Sequence, residues 1–598
     1  MASKLKLLIQ SSQNIIELYG MSYFIKIAIS EFRKYGFDVF RDTNNSNELV
    51  VSVESDVNLY KLYIKKINSE INNDILKNQE QQFSFKPKFT IVIPINSRNF
   101  EYVESTINSI KEQIYNNHEI IILHSDDTIK KLFLEKFHIT KNNKTSSNIK
   151  FISKINEIQK TMDCNFILFF ESGAQLSKNA LFKISEFINQ NMDSEIIYAD
   201  NDYFDENNNR ENPFFKPDWS KYLFLNMDYL SQLCVINSEI FKKIVIDDKL
   251  TSALHYDIIL RSTEITKKIK HISIPLCTKH SFEQSENNEE LKGVILNYFQ
   301  RNQINATVET GIIKNIIRPK FYLENEPLVS IIIPTKNNKS VLNRCITSIK
   351  KITSYKNFEI IIVDNNSTDT NLVPFYKSLP YKIINYTGNF NFSKMNNLAT
   401  ENANGDFILF LNDDTKILHS DWLNEMVSLC NQKDVGVVGA KLVYANNSIQ
   451  HAGVSILETG SGFHPFQHTL GNSKLHFNFL NVVRESSAVT GACLLIKKEI
   501  FDKINRFDDD FDLYYGDTDL CLKVIELGYS VLFTPYARLL HEGSHSIKET
   551  IKLTSTTPRS FFAVENHYQF IKKWPHLKNG DPFYNTNLGW DYSIKSVE

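Results

Sequence analysis

A mostly parallel α/β fold, repeated in tandem, is the class this sequence predicts, and three observations predict it. First, FTIVIPINS (89–97) and VSIIIPTKNN (329–338) are short β-rich runs that close around a proline. Second, each is followed by a helix-like segment and another apolar run, HEIIILHSDD (118–127) or FEIIIVDNNSTD (358–369). Strands that are apolar without alternation are buried on both faces, as in parallel sheets covered by helices. Third, the correspondence continues. NFILFFESGAQL (165–176) aligns with DFILFLNDDTKI (406–417), and LCVINSEIFKKI (233–244) with ACLLIKKEIFDKI (492–504). A repeat of about 240 residues is an internal duplication of one α/β unit.

The elements follow in order. Residues 1–80 form an extension with a helix expected over Gln13–Tyr35, a strand-like run over Asn47–Val53, and no chemical motif. The first unit is placed at 81–285, with a helix over Tyr102–Gln113 after its first strand. Residues 286–326 form a helical linker, because NEELKGVILNYFQRNQI has helical spacing. The second unit is placed at 327–545, with helices over Leu342–Lys351 and Asp517–Leu527. Leu520, Leu522, Val524 and Leu527 give the latter an apolar side. Residues 546–598 are an aromatic-rich, helical tail.

Composition excludes several classes. A chain of 598 residues at 69.4 kDa holds about three to five domains. With 42% hydrophobic and 23% charged residues it is an ordinary globular chain. The net charge of −2 advertises no nucleic-acid partner. The 7 cysteines are dispersed without a CxxC pair, which reads as reduced thiols in a cytosolic protein. No leader and no membrane span are expected.

Ligands of parallel α/β sheets bind at the C-terminal ends of the strands. In the second copy those ends carry Pro334, Thr335, Lys336 and Asn337, then Asp364, Asn365 and Asn366, then Asn412, Asp413 and Asp414. Each turn alone could be simple turn chemistry; three in order point to one crevice. Asp364 is placed to accept from a base or ribose, and Asp414 to hold a hard divalent cation. Such cations also bind substrate phosphates, so a nucleotide diphosphate is the natural ligand. Asp517 and Asp519 open the next helix. They read either as helix caps or, for one of them, as a general base. His541, Glu542 and His545 match HExxH, but Gly543 and Ser544 weaken the helix a zinc protease needs. His541 could instead give a nitrogen to the same metal.

The order SIIIPTKN, IIIVDNNSTD, FNFSKMNNLA, FLNDDT, IQHAGV, SAVTGACLLI, GDTDLCLK, HEGSHS and DPFYNTNL resembles glycosyltransferase family 2, inverting sugar transferases of the GT-A fold. The likeness is to two-domain bacterial, rhamnosyltransferase-like enzymes of O-antigen and surface-polysaccharide assembly, over roughly residues 85–598. It implies that Pro334, Thr335, Asn337, Asp364 and Asn366 line the nucleotide pocket. Asn391, Ser393 and Asn396 would help hold the nucleotide-sugar. Asn412-Asp413-Asp414 stands at the DXD position with Asn at its first place, which makes Asp414 the better metal ligand, with His541 the further one. Asp517 would be the catalytic base with Asp519 in support, and Thr490 and Gly491 would shape the sugar or acceptor pocket. The implied cofactor is Mn2+ or Mg2+, and the implied donor a UDP-, dTDP- or GDP-sugar. The acceptor would be a glycan or lipid-linked glycan at the inner face of the cytoplasmic membrane.

The first copy departs from this pattern. It has Glu171-Ser172-Gly173-Ala174 at the DXD position, His124 where the second strand should end in Asp, and His255-Tyr256-Asp257 at the helix start. Yet YADNDYFDENNNRENPFFKPDWS (198–220) is strongly family-like, and Asp200 and Asp202 are candidates for function. Two readings stand: a degenerate first unit, or two active units. A nucleotidyltransferase and a non-catalytic glycan-binding protein are the rival classes.

Overall fold

The computed structural model describes residues 53–96, 99–124, 127–137, 149–280, 288–313, 316–471, 476–542, 559–589 and 592–595. The helix expected at Gln13–Tyr35 lies outside them, as does the strand-like run at 47–53 except for Val53, which opens the helix Val53–Ser69.

Each unit is built on one large sheet. The first is 9-stranded, ordered Ile149–Ile152, His118–His124, Phe89–Ile95, Phe166–Phe169, Cys234–Asn237, Ile196–Phe204, Ile269–His280 and Gln175–Leu176, with Arg210–Phe214 beside Ile196–Phe204. The second is 10-stranded and repeats that order: Lys382–Asn385, Phe358–Asp364, Val329–Thr335, Phe407–Leu411, Cys493–Lys497, Val435–Val443, Ser530–His541 and Thr415–Ile417. Ile449–His451 and Arg484–Glu485 attach at its side. The first four strands of each list run parallel to one another. Cys234–Asn237 and Cys493–Lys497 run against their neighbours, and the next two long strands return to the first direction. The chain is therefore an α/β protein of two tandem, mostly parallel sheets.

The central strands are fully buried. Val329, Ile331, Ile332 and Ile333 are each 0% exposed, which accounts for their unbroken apolar pattern. One apolar cluster crosses from Tyr222 and Phe224 in the first unit, through Phe299 and Phe321, to Trp422 and Met426 in the second.

The connection departs from the expected helical linker. The helix Asn288–Arg301 is followed by an antiparallel hairpin, Ala306–Thr310 with Ile317–Phe321. Alternation of Val308, Ile317, Pro319 and Phe321 with polar residues is a period of two, which a helix cannot use. The tail contains the helix Arg559–Lys573 and a short 3-10 turn at Pro575–Asn579, then runs without regular helix past Gly580 and Pro582.

Candidate functional site

The three polar strand ends of the second unit do meet. Thr335 Oγ1 donates to Asp413 Oδ2 at 2.6 Å, joining the first strand to the Asn412–Asp414 turn. Asn337, in the left-handed region at φ 51°, donates its N–H to Ser367 Oγ at 2.8 Å. Its Oδ1 accepts from Thr368 N and Asp369 N at 2.7 and 3.0 Å. Asparagine tolerates that conformation better than most residues. Pro334 sits half-buried at the end of this strand, and Asn366 is exposed, also left-handed at φ 49°.

Asp364 is more engaged than the sequence suggested. Its Oδ1 accepts from Ser367 Oγ and from Tyr376 OH at 2.8 Å, and its Oδ2 from Ser367 N at 3.1 Å. It organises the loop after its strand, and Oδ2, with one partner, keeps an accepting site. Beside it lies a group the sequence reading passed over. Asn365 is 2% exposed, and neither amide atom of its side chain has a partner. An unsatisfied buried amide costs stability, and this one adjoins the crevice.

The candidate metal centre is carried by Asp414 and His541. Thr415, just after Asp414, pairs with His541 across the edge strands. His541 Nδ1 faces Gln450 Oε1, so Nδ1 carries a proton, and in the neutral ring Nε2 presents its lone pair. Asn412 Nδ2 approaches that same Nε2 at 3.4 Å. Asp414 Oδ1 is buried, receives no hydrogen bond, and lies 2.9 Å from His541 Nε2. With the ring neutral, these are two electron-pair donors within reach of one cation; with the ring protonated, they are an ion pair. Among the described residues no group of three or more His, Cys, Asp or Glu side chains could hold a metal. Asp414 and His541 are thus the two candidate protein ligands, and substrate phosphate and water would have to complete a set, as hard cations commonly allow. His541 is the last residue of a strand, so HExxH fails at its first histidine; residues 543–545 lie outside the described ones.

Asp517 stands in the first turn of Gly516–Glu526 and does not cap it. The N-cap residue is Tyr515, and the helix has no side-chain cap. The Asp517 carboxylate reaches across the crevice instead. Oδ2 accepts from Gly491 N at 2.8 Å, and Oδ1 from Thr518 N at 2.9 Å. Gly491 is adjacent to Ala492, whose carbonyl accepts Asn412 N–H at 3.1 Å. Asn412, Gly491 and Asp517 are therefore tied in one chain of contacts that ends beside Asp414. At Gly491 an added Cβ would come within 3.1 Å of the Phe392 ring. Tyr515 has φ 65°, an unusual value for its residue type. It is held by its hydroxyl at 2.9 Å from His567 Nδ1 and by stacking on Phe570 at 4.6 Å. Backbone outliers of this kind cluster where a site is held in place by its surroundings.

Asn391, Ser393 and Asn396 are not gathered at the nucleotide turns. Asn391 caps the helix Phe392–Thr400 and donates to Asp509 O at 2.8 Å, while Ser393 Oγ donates to Phe511 O at 2.6 Å. Both stitch this helix to the acidic loop leading to Asp517. Asn396 Nδ2 donates to Phe392 O at 2.8 Å, and its Oδ1 is buried without a partner. Asp519 is 0% exposed and bound to Trp574 Nε1 at 2.9 Å and Lys573 Nζ at 2.8 Å, so it anchors the tail rather than facing the crevice. Thr490 N points to His451 Nε2 at 3.4 Å.

The repeated sheet allows a position-by-position comparison. Gln175 pairs with Thr278 as Lys416 pairs with Leu540, so Gly173 occupies the place of Asp414 and Lys279 that of His541. Lys279 Nζ lies 3.7 Å from Glu171, the counterpart of Asn412. Ile95 pairs with His124 as Thr335 pairs with Asp364. The Asp257–Arg261 ion pair matches Asp519–Lys523, which puts His255 at the place of Asp517. His255 Nε2 is buried without a partner, and burial pulls the ring down to about 3.

In the family-like stretch at 198–220, Asp200 and Asp202 are tied into the packing around them, while Asp202 Oδ1 and the Asn201 amide are buried without partners. Asp200 accepts from Lys216 N at 2.8 Å, from Asn585 Nδ2 at 3.0 Å and from His271 Nε2 at 2.8 Å. Asp202 binds Tyr60 and Arg210. Glu485 of the second unit is buried and receives Ser220 Oγ and the Tyr222 N–H at the start of the first unit's helix Lys221–Asn226. The tail completes the join. Asp581 accepts from Ser487 Oγ at 2.6 Å and Ile456 N at 2.7 Å in the second unit, while Asn585 holds Asp200 in the first.

Comparison with known proteins gives a family match that falls within the second unit. Residues 330–504 match the glycosyl transferase family 2 model; the second unit carries a family 2 glycosyltransferase domain. An uncharacterized protein of Sinorhizobium fredii is 32% identical over 71% of this chain and 48% of its own length. The O-antigen biosynthesis protein RfbC of Myxococcus xanthus is 27% identical over 85% of this chain and 41% of its own. This chain therefore spans about half the length or less of these curated relatives. Among solved structures, GalNAc-T7 with UDP, GalNAc and Mn2+ aligns at TM-score 0.32 and 16% identity, over 43% of this chain and 59% of its own. No helix among the described residues is long and apolar enough to cross a membrane.

Proposed function

We propose that this chain is an inverting, metal-dependent glycosyltransferase. It would move a hexose or deoxyhexose from a UDP-, dTDP- or GDP-sugar to a growing surface glycan, O-antigen or capsule among them. The observation that carries the reading is the opposed pair Asp414 Oδ1 and His541 Nε2, beside a carboxylate, Asp517, held by Gly491 N–H. The relatives' names support the same substrate class.

Asp414 and His541 are the residues that would hold Mn2+ or Mg2+, whose chemistry there is neutralisation of the leaving diphosphate. Thr335, Asn337 and Asn365 shape the nucleotide end of the crevice. Asp517 takes the proton of the acceptor hydroxyl. As that oxygen bonds to the anomeric carbon, the bond to the diphosphate oxygen breaks on the opposite face, and configuration inverts in one displacement. No covalent enzyme intermediate is needed. The first unit, with Gly173, Lys279 and His255 at the three key places, serves as a scaffold. The acceptor, if lipid-linked, brings the chain to the cytoplasmic membrane surface as a peripheral protein.

The test is release of nucleoside diphosphate from a panel of sugar nucleotides with Mn2+ or Mg2+ and a lipid-glycan extract. Turnover with one donor, lost in Asp517→Asn and in Asp414→Ala, is expected. Turnover surviving both substitutions would move the chemistry to the first unit.

A further inference from the structure

Two histidines that this mechanism does not use lie beside its two centres. His451 ends the strand Ile449–His451 and is 1% exposed. Its Nε2 accepts the backbone N–H of Gly453 at 3.2 Å and of Thr490 at 3.4 Å. An imidazole nitrogen that accepts N–H bonds carries no proton, so the proton of neutral His451 is on Nδ1. That Nδ1 lies 2.9 Å from Nδ1 of His464. One proton joins the two nitrogens and it belongs to His451, so His464 Nδ1 accepts and the proton of His464 sits on Nε2. Burial, before any neighbouring charge, holds both rings below the usual histidine value, which keeps them neutral.

His464 is half-buried where His451 is sealed. Through His451 and the Thr490 backbone it is tied to the residue next to Gly491, whose N–H holds Asp517. Two residues before His464, a Cβ at Gly462 would be 3.7 Å from the Tyr515 ring, at the residue that precedes the Asp517 helix. Among the described residues, none receives a hydrogen bond from His464 Nε2. The result is a ring fixed at one edge by a donated hydrogen bond and presenting an obligate N–H donor at the other.

We propose that His464 is a substrate-binding residue of the transfer site, its Nε2–H donating to a sugar hydroxyl oxygen, with His451 and the Thr490 backbone setting which nitrogen carries the proton. The inference rests on the transferase reading above. The hydroxyl belongs to the transferred sugar or to the acceptor, and two assays separate these.

His464→Phe keeps a ring and removes the donor; His464→Gln keeps an N–H donor on a side chain of similar reach. Both are compared with the wild-type chain in transfer, in acceptor-free hydrolysis of the sugar nucleotide, and in calorimetric binding of UDP, dTDP and GDP with Mn2+. H464F should lower kcat/KM about tenfold, the effect of one lost hydrogen bond, while H464Q stays within about threefold of wild type. Both should bind the nucleoside diphosphate as wild type does. A loss in both assays assigns the hydroxyl to the transferred sugar, and a loss confined to transfer assigns it to the acceptor. Wild-type kcat/KM in H464F overturns the proposal, as does an equal loss in H464F and H464Q, which marks a packing role. A wild-type chain that neither binds a nucleoside diphosphate nor releases one overturns the transferase reading itself.

Discussion

Replacing Asp517 with asparagine separates the proton-accepting role of that side chain from its structural one. The carboxylate receives Gly491 N–H on one oxygen and Thr518 N–H on the other. An amide has one accepting oxygen, so in D517N the NH2 must oppose one of these two N–H groups. The lost bond costs about 1 kcal/mol of stability. The chemical effect should be far larger. A positioned general base contributes about 10²- to 10⁴-fold, which is ~2.7–5.4 kcal/mol of barrier. D517N should therefore fold, melt slightly lower, and bind the nucleoside diphosphate and Mn2+ normally, because Asp414 and His541 are untouched. Its turnover in a continuous diphosphate-release assay should fall at least about a hundredfold. Turnover within about tenfold of wild type would refute the assignment of Asp517 as base.

Three further outcomes follow from the geometry. Calorimetry with Mn2+ and the preferred nucleoside diphosphate should give one site per chain, abolished by Asp414→Ala, because Lys279 and Gly173 stand at the corresponding places of the first unit. Two sites, or one that survives D414A, would restore the reading in which both units are active. Asn585→Ala removes the donors to Asp200 Oδ2 and Lys216 O at 3.0 and 2.9 Å. It leaves the buried Asp200 Oδ2 without a donor, while Oδ1 keeps Lys216 N–H and His271, at a cost of about 1–3 kcal/mol, which should appear as a lower melting temperature with unchanged nucleotide affinity. His271, although burial pulls it down, is raised to about 9 by the Asp200 and Asp218 carboxylates. A base raised in the folded state contributes its full stability below its unfolded value of 6.5 and loses it as pH rises through about 9. The melting temperature should therefore fall between those pH values, and His271→Gln should flatten that slope.

The strands and their polar ends were legible because burial on both faces leaves a plain mark: unbroken apolar runs that end abruptly at Thr335, Asp364 and Asn412. What each polar group touches was not legible. Asn391 and Ser393 look like binding residues from their motif, but their partners, Asp509 and Phe511, lie 118 positions away. The same holds for Asp200, which meets Asn585 across 385 positions. The linker hairpin was hidden by the strong helical pattern before it. The pairing of His451 with His464 had one outward sign, the IQHAGV motif, and nothing in the spacing identified the second ring.

The Lys279–Glu171 contact bears on what a second metal centre in this chain would require. Restoring an aspartate at Gly173 alone would add a second carboxylate near Glu171. Restoring a histidine at Lys279 alone would strip Glu171 of its cation. Restoring an aspartate at His255 alone would place a charge at a site so dry that the imidazole there stays neutral. No one of these changes alone would give the first unit the set that Asp414, His541 and Asp517 form in the second. Three separate substitutions therefore stand between the first unit and its twin's arrangement, and the one at His255 carries a desolvation cost of its own.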